Sequence, residues 1–279
     1  TQLLLSVSVS FSGYSVYGGS ITISSTSGDI STQRLSSSSA SHSGYSANGG
    51  NITISSTSGD ISTYGLLSFS LSDPGDSGNG GAITISSTSG DISTADVSSF
   101  SFSESGESGN GGNVWLLAEE GRIEGKQLSF VFSGEEGRIE RKQLSFVFSG
   151  SVSSSGQLTG TGGSVFLYSD HISDLTIITL TSGGKSGNLE IQSLNNNLTV
   201  SDLSIITTAQ VEIPDPRNPE ENISLDLSNI GQSGNTSLSS PGGIMLNNVN
   251  IQGDANGSQA AGNISITSLA KSPFTLAKS

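Results

Sequence analysis

Residues Gly49–Thr63 read "GGNITISSTSGDIST", and the same words recur as "GGSITISSTSGDIST" from Gly18 and "GGAITISSTSGDIST" from Gly80. The copies are 31 residues apart (49 − 18 = 31 and 80 − 49 = 31). A fixed period of this size marks a repeat architecture, in which each unit buries its apolar face against the next. Aligned in that frame, Ile21, Ile52, Ile83 and Val114 form one column, and Ile23, Ile54, Ile85 and Leu116 the next but one. Between them lie Thr22, Thr53, Thr84 and Trp115. This alternation is the period-2 signal of a strand with one buried face.

Past the "STSG" turn comes another apolar column, Ile30, Ile61, Ile92 and Ile123. A third strand carries Leu35, Leu66 and Val97, then Ser38, Phe69 and Phe100, then Ala40, Leu71 and Phe102. Each unit closes in a Gly/Ser/Asn/Asp stretch with strong turn chemistry. Three short strands per unit without a helical period predict an all-β parallel β-helix of roughly eight to ten coils. Like residues would then stack in ladders about 4.8 Å apart. A coil of 31 residues is long for three short strands, so "DPGDSGN" (73–79) is expected to protrude as a loop.

Composition narrows the function classes. Only 32% of the 279 residues are hydrophobic and 37 are glycine, which alone would suit a disordered segment. The periodic placing of the apolar residues speaks against that. There is no cysteine, so disulfides and thiolate metal sites are excluded. A formal charge of −14 argues against nucleic acid and against docking on anionic lipid. No apolar run of about 18 residues is present for insertion into a membrane as a helix. The chain opens at Thr1 without a leader and reads as a piece of something longer.

Three divisions follow: regular repeats over 1–111, a stretch with a tandem duplication over 112–162, and degenerate coils over 163–279. The duplication is "EEGRIEGKQLSFVFSG" (Glu119–Gly134) followed by "EEGRIERKQLSFVFSG" (Glu135–Gly150). Ile123 is expected in the Ile92 column and Leu128 in the Val97 column. Sixteen residues carry two strands and not three, so the block either adds a tight extra coil or bulges outward as a hairpin. Because its apolar residues resist solvation, the expectation is an extra coil opened by "SFVFS" (Ser129–Ser133). Further on, "PDPRNPEE" (214–221) has three prolines without N–H donors and is expected as a surface loop.

The "SGNGGNITI…SGDIST" units, with alternating strands between Gly-Asn-Gly turns, resemble the repeat region of filamentous-haemagglutinin-like exoproteins. These are bacterial proteins of the two-partner secretion class, common in cyanobacteria. The resemblance covers essentially the whole chain. It implies a right-handed β-helix, export through an outer-membrane secretion barrel, and an extracellular or cell-surface location. Absence of cysteine suits such export. The family's N-terminal secretion domain has no counterpart here, so the chain would be the adhesin-like shaft, meeting a surface glycan or protein receptor.

Candidate sites are few. Asp29, Asp60 and Asp91 form a ladder that could hold Ca²⁺ between stacked carboxylates. The structural alternative is turn chemistry, since like charges about 5 Å apart in water repel by only about 1 kcal/mol. Arg122 follows in that column and could pair with Asp91. Trp115 replaces threonine on the outward column; it could be a carbohydrate or partner platform, or be covered by Phe130, Val131 and Phe132 of the duplicated block. His42 and His171 have no catalytic partner at a meaningful spacing, and sequon matches at Asn51, Asn197 and Asn222 are expected by chance. Most acids (Asp73, Asp76, Glu104, Glu107) lie in loops, unlike the clustered carboxylates of polysaccharide-cleaving β-helices. The ladder residues Ile21, Ile23, Ile30, Ile52, Ile54, Ile61, Ile83, Ile85 and Ile92 are read as structural. No enzyme and no cofactor are expected. A β-helical carbohydrate-active module is the alternative, with an ice-binding face of Thr22/Thr53/Thr84 and Ser24/Ser55/Ser86 as a third reading.

Overall fold

Strands whose like residues lie 31 positions apart can satisfy their backbone only by pairing in parallel with their own repeats. The computed structural model has that arrangement. It describes residues 3–126, 128–134, 137–143, 145–153, 160–181, 184–206, 212–215, 218–224, 232–253, 261–270 and 275–276. Among these there is no helix, and the chain is a parallel β-solenoid. Short strands Ile21–Ser25, Ile52–Ser56, Ile83–Ser87 and Val114–Ala118 pair in register, Ile21 on Ile52 on Ile83 on Val114. They belong to an eight-stranded sheet that ends at Ile264–Ser268. Eight strands make seven steps (8 − 1 = 7), fewer than the eight to ten coils expected.

The division of the coil differs from three short strands. The second and third columns lie on one strand of 12 residues, Ile30–Ser41, Ile61–Ser72 and Ile92–Ser103 in successive coils. These stack in the second, ten-stranded sheet. The bend between columns sits at Tyr64 and Gly65, where inward side chains pass from Thr63 to Leu66 and Tyr64 is exposed. Nor does "DPGDSGN" protrude. Its backbone forms a third wall, with Gly44 N–H on the Pro74 carbonyl (3.0 Å), Ser46 on Asp76 (3.0 Å) and Ser77 on Glu107 (2.9 Å). Single-residue bridges link Ser46 to Ser77 and Ser77 to Ser108. Stacking satisfies these backbone groups, which a protruding loop would leave to water.

The interior has two chemically different halves. One is the isoleucine ladder: Ile52, Ile54, Ile61, Ile83, Ile85 and Ile92 are fully buried, Ile21 and Ile30 nearly so, and Ile23 in the first rung only partly. Each such side chain contributes about 1.5–3 kcal/mol of burial. The other half is polar. Along Leu66–Ser72 the inward residues are Leu66, Ser68, Ser70 and Ser72, while Phe69 and Leu71 turn outward and stay half-buried. Phe69 stacks on Phe100 at 5.2 Å outside the coil. The inward serines meet bare backbone across the coil: Ser68 Oγ donates to the Gly50 carbonyl (2.7 Å) and accepts the Gly81 N–H (2.9 Å). Ser99 repeats the first contact on Gly81, and Ser70 Oγ lies 2.5 Å from Ser46 Oγ. Only glycine fits opposite them, because a Cβ on Gly81 would collide with the Gly50 carbonyl.

The duplicated block resolves as a hairpin and not as an extra coil. Ile123 keeps the Ile92 column as expected. Strand Leu128–Gly134 then leaves the ladder and pairs antiparallel with Gly137–Gln143, Gly134 opposite Gly137. Strand Ser145–Ser153 rejoins between Ile92–Ser103 and His171–Thr181. The Val97 column is taken by Val147 and not by Leu128, an offset of 50 where one coil needs 31, so 19 residues are looped out (147 − 97 = 50; 50 − 31 = 19). "SFVFS" is therefore not the opening strand of a coil. Antiparallel pairing lets the two strands satisfy one another locally, whereas a further coil needs a third wall that sixteen residues cannot build. The side chains of Phe130, Val131 and Phe132, proposed to cover Trp115, lie outside the described residues.

Later coils keep the scheme with shorter long-sheet strands, His171–Thr181, Leu198–Ile206 and Ile244–Gln252. Their bends are stacked left-handed residues, Asp174, Asp202 and Asn248, types that tolerate that backbone. The proline-rich stretch lies off both ladders, but as a two-stranded antiparallel hairpin and not a loop: Glu212–Asp215 pairs with Asn218–Ser224, Pro214 opposite Asn222.

Candidate functional site

At the "SGDI" turn each carboxylate reaches the next rung's backbone. Asp29 Oδ1 accepts the Asp60 N–H (3.0 Å), Asp60 the Asp91 N–H (2.9 Å) and Asp91 the Arg122 N–H (2.8 Å). Arg122 thus meets Asp91 through its backbone amide. All three aspartates are exposed, and among the described residues no group of three His, Asp or Glu is placed to hold a metal. Asparagines do the same work elsewhere: Asn48 accepts from Asn79 (2.9 Å), Asn51 from Ala82 (2.9 Å) and Asn113 from Ser164 (2.9 Å). These rows are clamps between coils, satisfying donors that strand pairing leaves over.

The outward face of the eight-stranded sheet is a regular surface. Its first column runs Thr22, Thr53, Thr84, Trp115, Phe166, Glu190 and its second Ser24, Ser55, Ser86, Leu117, Tyr168, Gln192. Small hydroxyls therefore give way to an aromatic block. Trp115 and Phe166 stack at 5.3 Å and 7°, and Phe166 lies 6.4 Å from Tyr168. Trp115 is covered by its column neighbour, with its ring face toward Phe166. The signal was in the sequence, since "GGSVFLY" repeats the pattern of "GGNVWLL" 51 residues on (166 − 115 = 51). Tyr168 donates its hydroxyl to Glu190 Oε1 (3.3 Å). Burial and the neighbouring Glu190 charge push the phenol's pKa above its ordinary value.

Other polar side chains are tied into the scaffold. Asp170 Oδ1 accepts the Ser193 hydroxyl (2.6 Å) at a turn. Lys126 sits 4.1 Å over the Tyr64 ring and donates to Ser62 Oγ (2.5 Å), and burial lowers its pKa. His42 is exposed and stacked on Phe11 at 5.5 Å; His171 is exposed on the long sheet beside Arg122 and Thr199. A shallow depression near the C-terminal end is lined by Gln192, Leu194, Ser239, Pro241 and Leu269, which supply no acid–base pair. No family model matches the chain, and neither a curated protein nor a solved structure does.

Proposed function

We propose that this chain is a structural shaft, the adhesin-like repeat region of a secreted or cell-surface bacterial exoprotein of the filamentous-haemagglutinin-like kind. One observation carries the reading: among the described residues, rows of side chains that could do chemistry are committed to the scaffold. Aspartates and asparagines clamp one coil to the next, serines fasten the walls from inside, and the large rings stack on one another. What remains for partners is a long, weakly charged face of threonine and serine ending in the Trp115–Phe166–Tyr168 block. Such a surface suits extended contact with a glycan or protein receptor. On this reading the chain passes through an outer-membrane secretion barrel during export, and neither nucleic acid nor the membrane interior is a partner.

A carbohydrate-active module is the second reading, favoured by Glu190 and Gln192 following the aromatic block on the same face. Incubation of the chain with glycan arrays and acidic polysaccharides separates the two. The shaft reading expects saturable retention with no new reducing or unsaturated ends. Release of oligosaccharide, lost in Glu190→Gln, would replace it with the second.

A further inference from the structure

We propose that Asn48–Gly49, Asn79–Gly80 and Asn110–Gly111 are self-modification sites, converted to isoaspartate when their coil opens and protected while it is stacked. Asparagine followed by glycine is prone to this chemistry because glycine has no Cβ to hinder the attacking nitrogen. At Asn79 the Gly80 backbone nitrogen bonds to the side-chain carbon Cγ and gives up its proton to solvent. The Cγ–Nδ2 bond breaks, ammonia leaves, and a five-membered succinimide remains. Water then opens the ring. Attack at Cγ gives aspartate; attack at the main-chain carbonyl gives isoaspartate, whose backbone runs on through Cβ and Cγ. Only water enters and only ammonia leaves, so solvent is the sole co-reactant.

Stacking holds both reacting groups. Gly49 N–H donates to the Asn79 carbonyl (2.9 Å), Gly80 N–H to the Asn110 carbonyl (2.8 Å) and Gly111 N–H to the Thr161 carbonyl (3.0 Å). The proton that must leave is therefore bound to the next coil at every step. The electrophile is held by the same coil. Asn48 Oδ1 accepts the Asn79 N–H (2.9 Å), Asn79 Oδ1 the Asn110 N–H (2.8 Å) and Asn110 Oδ1 the Thr161 N–H (2.7 Å). A donor on Oδ1 would by itself stabilise the oxyanion of the ring-closing step. It has no effect while the glycine proton is bound, because the nitrogen is not yet a nucleophile. Asn79 and Asn110 are exposed and Asn48 is half-buried, so water reaches these steps once the coil opens.

The fold itself dictates the reactive pair. Glycine is needed for close approach: a Cβ on Gly49 would meet the Phe69 carbonyl oxygen at 2.8 Å, and one on Gly80 the Phe100 nitrogen at 2.9 Å. Asparagine is needed for the clamp. The clamps at Asn51 and Asn113 do the same work but precede Ile52 and Val114, whose branched side chains crowd the nitrogen. The same close contacts make the change one-way. Isoaspartate lengthens the main chain by a carbon beside a glycine already pressed on Phe69 or Phe100. The carbonyls of that wall then miss their partners one coil away, and the coil cannot restack. A coil that has opened and reacted is thereby marked and kept open.

Peptide mapping of the 279-residue chain tests this, with electron-transfer fragmentation to separate isoaspartate from aspartate, in native buffer and in urea. In urea, isoaspartate should accumulate at Asn48, Asn79 and Asn110 and far more slowly at Asn51. In native buffer the three steps should react about a hundredfold more slowly, the effect of two hydrogen bonds at each. Ser68→Ala loosens Gly50 and Gly81 without touching a reactive pair, and should speed conversion at Asn79 more than at Asn110. After dilution from urea, chains with isoaspartate at position 79 should not regain slow hydrogen exchange at the Gly80 amide. Asn79→Asp, which adds the charge without lengthening the backbone, should regain it. Equal rates in native buffer and in urea, or conversion at Asn51 as fast as at Asn79, would overturn the proposal. Recovery of slow exchange by the isoaspartate chains overturns it too.

Discussion

Ser68→Ala tests whether the serine half of the interior is held by hydrogen bonds or merely by close packing. The hydroxyl is buried and has two backbone partners, the Gly50 carbonyl at 2.7 Å and the Gly81 N–H at 2.9 Å. Alanine keeps the Cβ and removes one oxygen, leaving a void too small for a replacement water. Both glycines are buried, so each orphaned group costs about 1–3 kcal/mol and the pair about 4 kcal/mol. Outward Ser55→Ala is the control, expected within about 0.5 kcal/mol of the parent. Urea denaturation reports the global change. Because coils contact only their neighbours, hydrogen exchange at the Gly81 amide reports the local one. Every 1.4 kcal/mol is tenfold, so that amide should exchange about a thousandfold faster. A change below about 1 kcal/mol with Gly81 exchange unaltered would show that the hydroxyls are dispensable.

Ile85→Asp buries an unpaired carboxylate in a fully enclosed ladder and should cost more than about 4 kcal/mol; melting like the parent would refute the stacking register. Asp60→Ala removes the acceptor of the Asp91 N–H and should cost about 1 kcal/mol, while millimolar Ca²⁺ leaves the melting temperature of the parent unchanged; a saturable, stabilising signal would restore the cation reading. Tyr168 should ionise above its ordinary value of 10.0, through burial first and Glu190 second, and less so in Glu190→Gln. The phenol is held neutral in the fold, so its contribution is present below that ordinary value and lost as pH rises through the folded one; ultraviolet titration at an unshifted pKa would refute the contact.

The isoleucine columns were legible because period 31 and period 2 agree at every copy, from Ile21 to Ile92. The serine half was not read out, although its signal was present. Leu66 and Phe69 are three apart and cannot both face inward on one strand, so Leu66 commits Ser68, Ser70 and Ser72 to the interior. Hydrophobicity points the wrong way there, because the opposite wall is bare glycine backbone that needs donors more than methylene groups. The Asp29–Asp60–Asp91 row could be read as structural turn chemistry, but not as clamps to the next coil, since that contact crosses 31 residues. The hairpin was named as one of two outcomes. What decided it was the local pairing of Leu128–Gly134 with Gly137–Gln143, which hydrophobic patterning does not rank against a partial coil.

Tension gives the coil-to-coil clamps a mechanical meaning. Each rung is joined to the next by bonds that lie along the axis, so a pull on the chain's two ends loads the outermost rung first. That rung peels away before its neighbours feel the force. A coil of 31 residues (52 − 21 = 31) spans about 105 Å once stretched at about 3.4 Å per residue, against the 4.8 Å or so it occupied when stacked. The solenoid would therefore lengthen under load by paying out slack coil by coil, in steps of about 100 Å where the coil has 31 residues, with the remaining coils still folded. Single-molecule extension of the chain should show those steps; one all-or-none rupture would contradict them.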